Sequence, residues 1–224
     1  MAQQKELELE KLKEQILKMG GVVESTIQKS IKALVERDRE LAQSVIAGDS
    51  IVNTYDVEIE EECIRFIALW QPTGSNLRFI TTAIKIITDL ERMGDLAVDI
   101  CERTLELLDE PQLKPYIDIP RMAEASQKML KDSLDAFVAR DANLAMKVCE
   151  ADDFVDNLNQ QIFNELLVYM LQDPKNIARA VRLTYVAKYL ERVGDHATNI
   201  AEMVVYMVKG KVIRHMACEM RDKP

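Results

Sequence analysis

Cysteine is scarce: Cys63, Cys101, Cys149 and Cys218 are the only four in 224 residues, and none stands at C-x-x-C spacing. That argues against a zinc–thiolate cage. Cys63 and Cys101 fall at apolar helix positions, where they read as reduced core thiols of a cytosolic protein. Glycine (7) and proline (6) are also few, while 48% of the chain is hydrophobic and 30% charged. Few turn residues and much charge favour long helices over turn-rich β structure. A basic excess is missing: 38 acidic against 29 basic residues give a net charge of −9. That argues against nucleic-acid binding, which needs a basic face, and suits cations or a basic partner. No run approaches the ~20 apolar residues of a membrane span. The opening Met1-Ala2-Gln3-Gln4-Lys5-Glu6 has no apolar core of a signal peptide. There is no glycine-rich phosphate loop and no nucleophile–base constellation, so we expect no enzyme. A ferritin-like di-iron storage or oxidase bundle would need Glu-x-x-His on two helices. The chain has none, since Glu191 and His196 are five apart.

What the chain does have is a hexamer told twice. Leu90-Glu91-Arg92-Met93-Gly94-Asp95 returns as Leu190-Glu191-Arg192-Val193-Gly194-Asp195, 100 residues later (195 − 95), and Glu102 answers Glu202. Such self-similarity marks a repeat protein. Read as a helix over 76–109, at about 100° per residue, the hexamer puts Leu90, Gly94, Ala97 and Cys101 on one side as core. Glu91, Glu102, Asp95 and Asp99 then follow at roughly 100° to 180°, a stripe along the margin of the apolar face. Glu91, Asp95 and Asp99 are neighbours at i, i+4, i+8, and each like-charge pair costs about 0.2–0.5 kcal/mol unless cations sit on it. The second copy repeats the map with Glu191, Asp195 and Glu202, and Asn199 takes the place of Asp99. Gly94 and Gly194 lie in helix interiors, where glycine costs about 1 kcal/mol against alanine. Close approach of a neighbouring helix is the physical reason for accepting that cost.

The remaining chain repeats too. Met19 and Met122, Ser30 and Ser133, Arg37-Asp38 and Arg140-Asp141, Leu41 and Leu144, Asp49 and Asp152 are all 103 apart. The change from 103 to 100 implies three extra residues in the first loop, Gln71–Asn76. Helices are expected over 4–37, 39–47 (capped by Asp38), 50–70 and 76–109, with Gly48-Asp49 breaking the chain. Pro111, Pro115 and Pro120 punctuate a boundary at 110–120. The second half then restarts the plan and ends near Val208, where Gly210 can terminate the helix. The expected fold is all-α: two pseudo-symmetric antiparallel three-helix bundles, residues 1–110 and 118–210, each half with one short and three long helices. Residues 211–224 read as a polar tail.

A second acidic row lies on 49–70: Asp49, Asn53, Asp56 and Glu60 border the apolar side, and their counterparts are Asp152, Asp156, Asn159 and Phe163. Facing rows of carboxylates could hold a metal through hard oxygen ligands such as suit Mg, Ca, Mn or Fe. They could equally be salt-bridged to Arg92, Arg192, Arg103, Lys85 and Lys188 on a metal-free helical scaffold. Spacing leaves both readings open.

The paired hexamers, Gln71-Pro72 followed by Leu77-Arg78, and Asp195-His196-Ala197-Thr198-Asn199-Ile200-Ala201-Glu202 resemble the PhoU family of phosphate-transport accessory proteins, over nearly the whole chain. The resemblance implies paired three-helix bundles whose E(D)xxxD motifs carry multinuclear clusters of iron or zinc in some members, with Mg, Ca, Mn or Ni as further candidates. Carried over, the ligand positions are Asp49, Asn53, Glu91, Asp95 and Asp99 in the first half. In the second they are Asp152, Asp156, Glu191, Asp195 and Asn199. Asn53 and Asn199 depart from carboxylate and would ligate without charge. The resemblance also implies a cytoplasmic negative regulator of phosphate uptake and phosphate-starvation signalling. It would bind the ATPase of a phosphate ABC transporter and a sensor histidine kinase, and meet the membrane only through them. A homodimer is compatible with this reading. Among single residues, His196 reads as a surface or inter-helix residue, Trp70 as packing, and Met19, Met122, Met129, Met203 and Met207 as core filler.

Overall fold

The computed structural model describes residues 2–210, and the expected tail, with His215 and Cys218, lies outside them. Seven α-helices follow one another: α1 (Ala2–Glu36), α2 (Arg39–Ala47), α3 (Ser50–Trp70), α4 (Gly74–Leu107), α5 (Asp118–Ala139), α6 (Ala142–Gln172) and α7 (Ile177–Lys209). A single 3₁₀ turn, Pro174–Asn176, precedes α7, and there is no strand among the described residues. The long helices form wherever apolar residues recur at helical spacing. Leu9, Leu12, Ile16, Met19, Val23, Ile27, Ile31 and Leu34 of α1 are all buried.

The helix ends follow local chemistry. Asp38 caps α2, its carboxylate accepting from Leu41 N at 2.9 Å, and Asp141 does the same for α6. Gly210 closes α7 in the left-handed region, at φ 68°. The repeated Arg-Asp pair has a backbone role: Arg37 and Arg140 both take positive φ (56° and 53°), which turns the chain so that the next Asp can cap. Arg37 also donates to the carbonyls of Leu107, Leu108 and Glu110, covering the C-terminus of α4.

The two halves differ in one respect from the expected plan. Gly48-Asp49 separates α2 from α3, but α6 runs unbroken through the corresponding Ala151-Asp152. Alanine is the best helix former where glycine is among the worst, so the second half fuses its short helix with its long one.

α1, α3 and α4 form one antiparallel bundle, and α5, α6 and α7 the other. The bundles join through α4 on α7 and α1 on α5. α4 and α7 run antiparallel: Arg78 Nε donates to Met207 O at 3.1 Å, Asp89 meets His196 at 2.7 Å, and Arg182 meets Glu106 at 2.7 Å. α3 and α6 therefore lie on the outside. The hydrophobic core is continuous through both bundles and includes all five methionines assigned to it. Ser30 and Ser133, one pair of the repeat, are buried and return their hydroxyls to the carbonyls of Ile27 and Leu130. Cys63, Cys101 and Cys149 are buried free thiols, which burial pushes up to about 12.

Candidate functional site

Each acidic groove is built by an outer helix crossing a motif helix at its glycine. A Cβ on Gly94 would stand 3.3 Å from Val52 Cγ1 of α3. A Cβ on Gly194 would stand 3.3 Å from Asp152 Oδ1 and 3.4 Å from Val155 Cγ1 of α6. The glycines thus let the outer helices approach, as their interior positions led us to expect. The approach sets the carboxylates of one helix beside those of the other.

In the first groove Glu91 and Asp95 of α4 face Asp49 and Asp56 of α3. The Glu91 carboxyl is held above the usual range by lost hydration, then by Asp95, with Asp56 and Asp49 adding to it and Arg92 opposing. Asp56 is raised by lost hydration and by Glu60. Arg92 crosses the row, 3.3 Å from Glu91 and 3.2 Å from Asp95. Asn53 turns its amide nitrogen to Asp49 Oδ2 at 2.9 Å. This groove carries its own cation.

The second groove holds the most strongly shifted carboxyl. Asp152 is half-buried, and lost hydration, then Asp156, Asp195 and Asp153 push its carboxyl up to about 6. The Thr198 hydroxyl pulls the other way. Yet Asp152 Oδ1 and Thr198 Oγ1, both buried atoms, find no partner in hydrogen-bond geometry. Asp156 is raised by desolvation, Glu191 and Asp195, and Asp195 by desolvation and Glu191. Lys188 pairs with Glu191. Where the first groove has Asn53, this one has Asp156. An unpartnered buried oxygen is costly, by about 1–3 kcal/mol, and invites a ligand.

Asp99 and Asn199 stand apart from these crossings, in the α4–α7 seam. Asp99 is raised by desolvation and Glu102, with Asp95 adding to it, and it lies within electrostatic reach of Arg192 and Tyr189 of α7. Asn199 donates to Asp89 at 3.4 Å. Asp89 also takes the 2.7 Å contact from His196 Nδ1, which places His196 between helices. Spacing along one helix could not reveal Asp89 or Thr198, because both act through a partner on another helix. Trp70 packs on Phe66 and donates to Glu8 at 2.7 Å.

Hard oxygen donors, excess negative charge and an orphaned buried carboxylate oxygen fit a hard or borderline cation in the second groove. Among the described residues no three Asp, Glu, His or Cys side chains close around one point.

Comparison with known proteins agrees with the geometry. The PhoU domain family model matches residues 16–104 and 119–204, one match per bundle. The chain belongs to the PhoU family. It is 47% identical over 208 residues, 93% of this chain and 94% of its relative, to the phosphate-specific transport system accessory protein PhoU homolog of Aquifex aeolicus. It is 37% identical to the PhoU of Escherichia coli, covering 96% of this chain and 90% of that one. The crystal structure of PhoU from Pseudomonas aeruginosa superposes with a TM-score of 0.87 at 39% identity, over 92% of this chain and 99% of that chain. That of the phosphate transport system regulatory protein PhoU from Streptococcus pneumoniae gives 0.87 at 32%, over 93% and 98%. PhoU membership and the paired-bundle fold, both expected from the hexamers, therefore stand. No helix among the described residues is long and apolar enough to cross a membrane.

Proposed function

We propose that this chain is an accessory regulator of phosphate transport that works by binding, not by catalysis. The observation that supports the reading is likeness over more than nine-tenths of the chain to proteins named as phosphate-specific transport system accessory proteins. As an adaptor it would join the ATPase of a phosphate ABC transporter to a sensor histidine kinase, and damp uptake and starvation signalling when phosphate is plentiful. Pull-down of the purified full chain against that ATPase and the kinase's soluble portion tests this. Saturable micromolar binding is expected, and none at that concentration would refute it.

The second groove would hold the metal. Asp152, Asp156, Glu191 and Asp195 are the residues that would bind it, through oxygen. A bound cation would supply positive charge between α6 and α7 and relieve the repulsion among these carboxylates. Iron and zinc are the first candidates, then Mg, Ca, Mn and Ni. In the first groove Arg92 pairs with both Glu91 and Asp95, whereas Lys188 of the second pairs with Glu191, which favours the metal-free reading in the first. Metal analysis of protein purified without chelator is expected to find metal that Asp152→Asn with Asp195→Asn abolishes.

A further inference from the structure

Beyond Asp156 the acidic row of the second groove gives way to apolar side chains. Further along α6 the same face presents Phe163, Leu167 and Leu171, which are 42%, 40% and 79% exposed. Their spacing of four keeps them on one side of the helix, next to the positions of Asp152 and Asp156. Across the hairpin, α7 answers with Ile177 and Val181, and with Tyr185 at the rim, exposed by 45%, 38% and 51%. These lead along α7 toward Lys188, Glu191 and Asp195. Together they form a strip about 28 Å long, apolar at the Pro174 end and acidic at the other. The exposed apolar part is on the order of 500 Å², the size at which a patch on a monomer is commonly a binding surface.

The first bundle lacks this strip. The counterparts of Phe163, Leu167, Leu171, Ile177, Val181 and Tyr185 are Glu60, Ile64, Ala68, Leu77, Thr81 and Lys85. Four of the six have become small, polar or charged. Ile64 and Leu77 stay exposed there, by 56% and 39%, but Glu60, Ala68, Thr81 and Lys85 interrupt the run.

We propose that this strip is the docking surface for an amphipathic helix of a partner protein, with apolar side chains at one end and Lys or Arg at the other. This deepens the adaptor reading by naming the surface and the chemistry of what it takes. Charge complementarity selects the occupant. The apolar end would bury a hydrophobic ridge, and, in place of a metal cation, the basic end would meet Asp152, Asp156, Glu191 and Asp195. An anionic membrane would be repelled by the same carboxylates. A second copy seated by a two-fold across the strip would lay its apolar end on this chain's carboxylates, desolvating them without partners.

The test uses the full chain in chelator, so that no cation competes for the row. The probe is a labelled helical peptide of about 18 residues, long enough for most of the strip. It carries Leu at helical spacing over its first half and Lys over its second, and binding is read by fluorescence anisotropy. Leu167→Asp with Val181→Asp is expected to weaken binding at least roughly tenfold, as loss of a central apolar anchor does. Ile64→Asp with Thr81→Asp, in the other bundle, is expected to leave it unchanged. Both pairs are exposed enough to leave the fold intact, which circular dichroism checks. A peptide with Glu replacing every Lys needs no protein variant and is expected to lose binding to the wild type. Equal binding of the two peptides, or equal binding by both double variants, would overturn the proposal. So would a dimer in sedimentation that Leu167→Asp disperses, since a second copy would then be the occupant. If the Leu167→Asp, Val181→Asp protein still captures the transporter ATPase and the kinase as the wild type does, this surface is wrong and the adaptor reading survives. If the wild type captures neither while the peptide results hold, the reverse is true.

Discussion

Asp152→Asn in metal-free protein is expected to stabilise the fold at neutral pH. The Asp152 carboxyl is raised from 3.8 to about 6 in the folded state. The folded chain therefore holds this proton more tightly than the unfolded chain. Its contribution is most favourable below pH ~3.8, declines as pH rises to about 6, and is flat above. A shift of this size corresponds to about 3 kcal/mol at 1.36 kcal/mol per pH unit, and partial solvent access reduces it to about 2. Asparagine removes the ionisation, so the variant gains about 2 kcal/mol at pH 7.5 and close to nothing at pH 4. For a chain of this size that is a rise in Tm of roughly 4–8 °C at pH 7.5. Thermal melts in chelator from pH 4 to 8 measure the difference directly. Wild type and variant should converge as pH falls through the 4–6 window. Adding a divalent cation should then stabilise the wild type and not the variant. A variant destabilised equally at pH 4 and 7.5 would refute the reasoning, because Asp152 would then be a packing residue whose charge costs nothing.

The remaining predictions concern the same two crossings and their supports. Arg92→Gln removes the cation beside Glu91 and Asp95, and isothermal titration should show weak divalent-cation binding in the first groove that the wild type lacks. Gly94→Leu or Gly194→Leu should destabilise by about 1–3 kcal/mol in urea titrations, since Val52, Asp152 and Val155 leave no room for a branched side chain. The alanine variants should lie near neutral, because a gain of about 1 kcal/mol in helix propensity offsets the tighter contact. Arg37→Ala uncovers the carbonyls of Leu107, Leu108 and Glu110, and should cost about 1–3 kcal/mol by chemical denaturation.

What the sequence made legible was whatever repeats along a single helix. The hexamers placed Glu91, Asp95, Glu191 and Asp195 on the core's margin, and the interior glycines implied the helix approach seen at Val52 and Asp152. Helix bounds at 39–47 and 50–70 agree with the observed α2 and α3, because Asp38, Gly48 and Gln71-Pro72 are local signals. The fused α6 was missed because the repeat suggested a break that Ala151 does not make. Asp99 and Asn199 came to the metal rows with the family resemblance, and they lie in the α4–α7 seam. One face of a helix spans about 100°, so the margin near 180° belongs to the neighbour on the other side, here α7. Which cation sits beside which acid depends on inter-helix distances, and no spacing rule contains them.

The halves have diverged at both grooves. A duplicated bundle begins with two equal grooves, and here charge is lost as well as gained: Asn159 stands where the first half has Asp56. Asp156 replaces an amide, Asn53, with a charge. Thr88, at the position of Lys188, leaves Arg92 to neutralise the first groove, where it spans two carboxylates; Lys188 reaches Glu191. Phe163 and Val181 stand where the first half has Glu60 and Thr81. Unpaired carboxylates and exposed apolar side chains both cost free energy in the isolated chain. Their meeting along one face of α6 and α7 is what a surface completed by something outside the chain requires.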